Sequence, residues 1–238
     1  MSAEIAKIRY LPLPRWITAV VLAAAVLAGG LLAVFPPRRV DSYIDIPSTA
    51  VLLVYTIGAI ILGAWVATLE FGSGTLQRTL TAESDRNRVL GAKAAVLLVA
   101  AAAVGIAGAA AGGGLSHLAS VHDGVKVDQG ELAKAMFSIL PSGMAAALVG
   151  FGFGLLTRSF GGGLSIAIAF VLVGDQLLNF IPGIKDYSFG QVTGDLANGI
   201  AQTGEVKHSV GVALIATVVW AIAIITPGWL YFARGDLK

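Results

Sequence analysis

Cysteine is absent from the 238 residues, which excludes disulfides and thiolate metal sites. Charge is scarce: 13% of residues are charged, against about 25% in a soluble domain. Three His and 14 acids leave little material for a metal cluster. The formal net charge is +2, and the pI near 9.0 reflects few charges rather than a basic surface. The clustered Lys/Arg of a nucleic-acid footprint is missing. So is the G-x-x-x-x-G-K-[ST] phosphate loop, since Gly161-Gly162-Gly163-Leu164-Ser165 has no Lys and opens an apolar stretch. The His-Glu-x-x-His of a zinc protease does not occur. Pro141-Ser142-Gly143 approaches the Gly-x-Ser-Gly nucleophile of an intramembrane serine protease, but no His falls inside an apolar stretch. The sequence therefore points away from an enzyme: no catalytic and no metal residue is assigned, and uphill work would draw on a partner or an ion gradient.

What is present is hydrocarbon. Hydrophobic residues make up 56% of the chain and mean hydropathy is +0.82, too apolar to clothe a water-soluble globule. Six stretches have the roughly 20 residues a helix needs to cross a bilayer core of about 30 Å: 16–35, 50–69, 94–113, 135–156, 161–182 and 209–232. None alternates with period 2 as a barrel strand does, and hydrocarbon tolerates only closed hydrogen-bond ladders, so helices remain. The expected fold is all-α, a single polytopic domain over 1–238 with six transmembrane helices. Residues 16–35 are longer than a signal-peptide core and lead into Pro36-Pro37-Arg38-Arg39, so they read as a retained span.

With the N-terminus inside, ten of the sixteen Lys and Arg lie in inner segments and six in outer ones. That bias favours both termini in the cytoplasm, and Trp16, Trp229 and Tyr231 fit interfacial anchors. Residues 1–15 form an arm, either a short interfacial helix ending at Pro12 and Pro14 or a tail. The outer loops are 36–49, 114–134 and 183–208, too short for a domain of their own. Gly108-x-x-x-Gly112 and Gly150-x-x-x-Gly154 allow close helix approach, within the subunit or between subunits. Pro141 and Pro227 are expected to kink their helices. Lys93 and Lys134, at span ends, are placed to snorkel toward the interface.

The inner segment 69–93 is the most informative. A helix can start near Ser73 as N-cap, with Leu76 and Leu80 on one face and Arg78 on another. A second start at Ser84 or Asp85 would run through Arg86, Arg88 and Lys93 into the third span. The alternative is a solvated basic loop that only sets topology. In order, Glu70, Gly74, Thr75, Leu76, Arg78, Thr79, Leu80, Arg86, Arg88 and Lys93 resemble the motif of the permease subunit of ABC type-2 exporters, especially small six-span permeases of actinobacteria. Residues 147–159, with Gly150-x-x-x-Gly154 and then Leu155-x-x-Arg158-Ser159, resemble a second motif of that family. Where the family often has Pro-x-Ser/Arg-Arg, this chain has Glu83-Ser84-Asp85-Arg86.

The resemblance implies a short cytoplasmic coupling helix between spans two and three, seated in a cleft of a separate ATP-hydrolysing subunit. Leu76 and Leu80 would be its apolar knobs; Glu70, Arg78, Arg86 and Arg88, with Gly74 and Thr75, would complete the contact. It further implies a bacterial plasma-membrane location, a second permease copy or sister permease, and ATP and Mg held by the partner, with no cofactor in this chain. A path lined by Ala, Gly, Leu and Val suits hydrophobic or amphipathic cargo: a drug, lipid or peptide.

Asp175 is the one ionisable group deep in a predicted span, about 21 Å along the helix from Gly161. With Gln176 and Asn179 it is a candidate for path or gate. A structural hydrogen bond, cargo contact and a proton relay all stay open, and a gradient-driven transporter using Asp175 is the alternative function. His117, His122 and Asp123 share an outer loop and read as exposed rather than as a metal site. His208 reads as interfacial.

Overall fold

The computed structural model describes residues 12–73, 86–202 and 204–234, apart from the side chains at 70, 72, 73, 86, 233 and 234. Among the described residues no strand occurs, and six helices are long and apolar enough to cross a membrane. The first is α1 (Pro12–Val34). The second and third are α2 (Ser42–Ser73) and α3 (Arg86–His122). The fourth is broken into α4 (Gln129–Phe137) and α5 (Ile139–Thr157). The fifth is α6 (Phe160–Ala169), a π-helical turn (Phe170–Gly174) and the short α7 (Asp175–Leu178). A 3-10 turn (Lys185–Tyr187) leads to α8 (Phe189–Ala201), and α9 (Val210–Arg234) is the sixth.

Several helix ends depart from expectation. Pro12 and Pro14 are the first described residues of α1, where a missing N–H costs little, and the arm expected before them lies outside the described residues. The second helix is described as far as Ser73, and the helix expected to start there lies outside the described residues. The third is described from Arg86 onward, and the start expected at Ser84 or Asp85 lies outside the described residues. Residues 114–122 and 129–134, expected as loop, are helical. Asp128 caps α4, its Oδ1 accepting from the N–H of Gly130 (2.7 Å) and Glu131 (3.1 Å).

Pro141 does not kink a helix interior. It sits in the first turn of α5, and the helix is interrupted three residues earlier at Ser138. The cause is the same in both descriptions, since proline has no N–H for the carbonyl four residues back and its ring crowds that carbonyl. Pro227 lies inside α9 as expected. Pro47 lies inside α2, in a region expected as loop. It leaves the Tyr43 carbonyl without its helical donor, and the buried Ser116 hydroxyl on α3 donates to that carbonyl instead. The sequence-local defect thus becomes a tertiary bond between α2 and α3.

At the centre, α2 and α5 pack with backbones touching. A Cβ on Gly63 would overlap the Ala147 carbonyl, and one on Gly150 would overlap the Ile60 carbonyl. Gly154 faces Ala64 and Ala67 of α2, while Gly152, on another side of α5, faces Ile224 of α9. The Gly150-x-x-x-Gly154 pair is therefore spent within the subunit. Gly108 and Gly112 are too, facing Val21, Val51 and Met136. The fully buried Tyr55 ring fills a notch opened by Gly105 and Gly143, and its hydroxyl donates to the Ala101 carbonyl at 2.9 Å.

The helix ends fall on two faces. Phe71, Asn87, Arg158 and residues 229–232 meet on one. Tyr43 with Asp123, Lys134 with Gln202, and Ser142 with Thr193 meet on the other. The fold is an all-helical, polytopic membrane protein. Apolar side chains of α1, α6 and α9 such as Leu27, Ile166, Ile215 and Ile222 remain exposed as lipid-facing surface.

Candidate functional site

The fifth span carries the main polar irregularity in the apolar layer. Within the π turn the Asp175 N–H bonds the Phe170 carbonyl, five residues back. Such turns insert a residue into the α-helical register and recur at functional sites. Immediately after it, Asp175 is buried at 3% exposure. One carboxylate oxygen, Oδ2, accepts from the Gly190 N–H at 3.0 Å. The other, Oδ1, is shielded from solvent and has no hydrogen-bond partner. An unpartnered buried polar atom costs about 1–3 kcal/mol, more when charged. Gly190 leaves room for this bond, since a Cβ there would stand 2.5 Å from Oδ2 and force the carboxylate to shift.

Above Asp175 lies a cavity of about 410 Å³ between the end of the fifth span and α8. Asp175, Asp195 and Glu205 contribute carboxylates to its wall, and Gln176, Asn179, Gln191 and Asn198 contribute amides. No Lys or Arg lines it among the described residues. Asn179 donates to Gln176 Oε1 at 3.3 Å, so the three residues singled out in the fifth span share one wall. The neighbouring groove, lined by Tyr187, Val212, Ile215, Ala216, Val219 and Trp220, is apolar. Tyr187 and Ser188, adjacent in the chain, belong one to each.

The cavity's roof is α8, hidden in what reads as a loop. Ser188 caps it, its Oγ accepting from Gln191 N–H at 3.3 Å. Phe189, Val192, Thr193 and Leu196 make its buried face. Asp195 lies on that same face, its side chain 1% exposed, and all its acceptor capacity is used. Its Oδ1 accepts from Gln191 Nε2 (2.8 Å) and Lys207 N–H (3.3 Å). Its Oδ2 accepts from His208 N–H (3.2 Å) and pairs with His208 Nδ1 (2.7 Å). Burial pushes the Asp195 carboxyl up, but the hydrogen bonds from His208, the Lys207 backbone and Gln191 outweigh it and hold the carboxyl below its ordinary range. His208 is thus an anchor tying α8 to the start of α9, with its ring against Tyr187 at 4.5 Å. Trp220 Nε1 donates to the Tyr187 carbonyl at 2.8 Å, completing the tie. The signal for Asp195 was available: its place among Phe189, Val192 and Leu196 at helical spacing puts it on an apolar face.

On the opposite face, Arg158 ends α5 in the left-handed conformation, φ 52°. Its guanidinium lies 4.1 Å from the Tyr231 ring centroid and 5.9 Å from that of Phe71, with Nη2 donating to the Tyr231 carbonyl at 3.2 Å. Phe71 meets Phe232 edge-on at 5.8 Å, and Trp229 Nε1 donates to Asn87 Oδ1 at 2.8 Å. This corner clamps the end of α2 and the start of α3 to α5 and α9.

Of the residues matched to the coupling motif, Gly74, Thr75, Leu76, Arg78 and Leu80 lie outside the described residues, and with them the expected coupling helix. Glu70 and Arg86 are in helix, with side chains outside what is described; Arg88 is exposed in the first turn of α3. Lys93 does not snorkel. It is 3% exposed, and its Nζ donates to the Val66 carbonyl at 3.4 Å, pinning α3 to α2. Lys134 bonds Gln202 Oε1 at 2.6 Å at the opposite face. His117 and His122 are helical rather than in a loop, and Asp123 accepts the Tyr43 hydroxyl. Among the described residues, no group of three His, Cys, Asp or Glu stands close enough for a metal ion.

Fold and site together define a multi-pass helical membrane protein with one polar cavity let into its fifth span. No family model matches the chain, and no curated protein or solved structure matches it either.

Proposed function

We propose that the chain is the membrane-spanning permease subunit of an ATP-driven ABC-type exporter in a bacterial plasma membrane. It would have both termini cytoplasmic and pair with a second copy or a sister permease. It performs no catalysis itself; two separate ATPase subunits bind ATP and Mg. The observation that carries the reading is the setting of 74–85, the heart of the resembling motif. That segment joins two helices of 32 and 37 residues. At 1.5 Å per residue these are about 48 and 55 Å long, against a hydrocarbon core of about 30 Å. Both ends are clamped, by Lys93 on Val66 and by the Arg158 corner. A push on 74–85 is thereby passed to α5 and α9 as well as to its own two helices, which is the mechanical demand on a coupling element.

Purification of a C-terminally tagged chain from its native host tests this. A stoichiometric ATP-binding-cassette ATPase with vanadate-sensitive hydrolysis is expected to co-purify, and Arg78→Glu is expected to uncouple hydrolysis from transport while insertion persists. A stable chain with no ATPase, or transport unchanged by Arg78→Glu, sinks the reading. A second reading, a gradient-driven transporter acting through Asp175, is favoured by that residue's unpartnered Oδ1 beneath a polar cavity. It predicts cargo movement driven by a pH gradient without ATP and abolished by Asp175→Asn.

A further inference from the structure

The geometry points to the cavity over Asp175 as a binding site for an organic cation bearing N–H donors, an alkylammonium or alkylguanidinium head group, with Asp175 as its counter-ion. The chemistry of the cavity wall decides the class of ligand. Its carboxylates and amide oxygens are acceptors, and no fixed cation among the described lining residues answers them. Asp195 is excluded as the ligand's partner, because both of its oxygens are fully engaged with Gln191, Lys207 and His208. Asp175 is different: Oδ2 has one bond and Oδ1 has none. The terminal torsion of Asp is broad and two-fold, so a modest rotation brings Oδ1 to the cavity wall. A guanidinium or ammonium then supplies the missing donors in a charge-assisted bond.

Size and donor set narrow the ligand further. A volume of about 410 Å³ accommodates a head group and the first carbons of a chain. A bare metal ion is disfavoured, since the described residues offer no compact set of three ligating groups. Open space over Gly194, where a Cβ would meet nothing within 4 Å, keeps the cavity from being filled by α8 itself. The exposed Leu172, Val173 and Leu177 flank Asp175 in sequence on the lipid-facing side of the fifth span, so an alkyl tail can remain in hydrocarbon while the head reaches the carboxylate. As a statement about cargo this rests on the transport reading; as a binding site it stands on the cavity alone.

The test uses the purified full chain in zwitterionic-lipid nanodiscs, with no ATPase present. Hexylguanidine, hexylamine, hexyltrimethylammonium and hexanol are titrated, and the thermal midpoint is followed for saturable stabilisation. Hexylguanidine and hexylamine are expected to raise Tm saturably. Hexyltrimethylammonium, cationic but without N–H donors, is expected to bind at least tenfold more weakly, and hexanol not at all. Asp175→Asn keeps an acceptor for Gly190 and should weaken hexylguanidine at least tenfold. Gly194→Leu fills the cavity without touching Asp175 and should do the same, so the idea is tested even where one variant folds poorly. Absence of saturable stabilisation in the wild type overturns the site. So does hexanol matching hexylguanidine, hexyltrimethylammonium matching hexylamine, or both variants binding as wild type. None of these outcomes bears on whether an ATPase co-purifies.

Discussion

Two regions of this molecule differ in how much of their surface the subunit buries and in the bonds added to their packing. Around α2 and α5, over half of each apolar window is buried within the subunit, 56% and 61%. Contact there is backbone on backbone through Gly63 and Gly150. In the fifth and sixth spans only 17% of each window is buried. There the chain also carries hydrogen bonds to Asp195 and from Trp220 to the Tyr187 carbonyl. Between lipid tails, apolar side chains gain little by leaving lipid for protein, so close packing of small residues must supply the attraction. α6 and α9 rest on α5 in the same way, Gly163 against Gly154 and Gly228 against Gly152, and hydrogen bonds at the face add to that packing. The first region is built as a rigid frame. The second contains the cavity.

The largest loss of stability is expected from Gly63→Leu. A side chain there must displace the Ala147 carbonyl, and overpacking of this kind costs about 3 kcal/mol or more. Loss of the monodisperse peak in detergent chromatography is expected. Gly194→Leu, in open space over the cavity, should leave that peak unchanged. Next is Asp195→Ala, which strands the donors of Gln191, Lys207 and His208 at a buried site. A cost of about 2–3 kcal/mol, confined to α8 and the start of α9, is expected. Hydrogen exchange should accelerate there and stay unchanged in α5.

The same tie depends on pH in a defined direction. The Asp195 carboxyl is held below its ordinary value of 3.8 by its hydrogen bonds. Its contribution is therefore complete above about pH 4 and is lost as pH falls through the lowered folded value. Exchange in α8 should rise in acid below that point, before exchange in α5 does; equal response of both helices would contradict the assignment.

Ser116→Ala has a smaller effect, about 1–2 kcal/mol, because it leaves the Tyr43 carbonyl unpartnered beside Pro47. Adding Pro47→Ala should recover much of that loss by restoring the helical donor, measurable as a double-mutant cycle. The exposed Lys207–Asp186 pair is the smallest term, and Lys207→Ala should not change thermal stability measurably.

The centres of all six spans were legible in the sequence because each is a run of about 20 apolar residues. Their ends were not, since α2 and α3 continue as helices through polar residues such as Ser42, Asp45 and His117 after hydropathy has fallen. The break at Ser138 was assigned to Pro141 in cause but misplaced along the chain. The helix α8 went unread because Gly190, Gly194 and Gly199 weaken its propensity, although its apolar spacing was present. Asp175 stood out as an acid in an apolar run. Its orphaned oxygen and the cavity above it did not, because both arise from a π turn and a roof helix 15 residues away. Arg158 was matched only as part of a motif; its ring contacts with Phe71 and Tyr231 depend on helices distant in sequence.

The described ends of α2 and α3, at Phe71 and Asn87, meet the Arg158 corner on one face of the helix layer, and the α8 roof with its cavity lies on the other. The chain has no native cysteine, so single cysteines report without background. Gly161→Cys beside the corner and Gly204→Cys beside the roof would be labelled with a membrane-impermeant maleimide in sealed right-side-out vesicles, then again after permeabilisation. The account predicts that only Gly204→Cys labels in intact vesicles and that Gly161→Cys labels after permeabilisation. Labelling of both from the same side would contradict it.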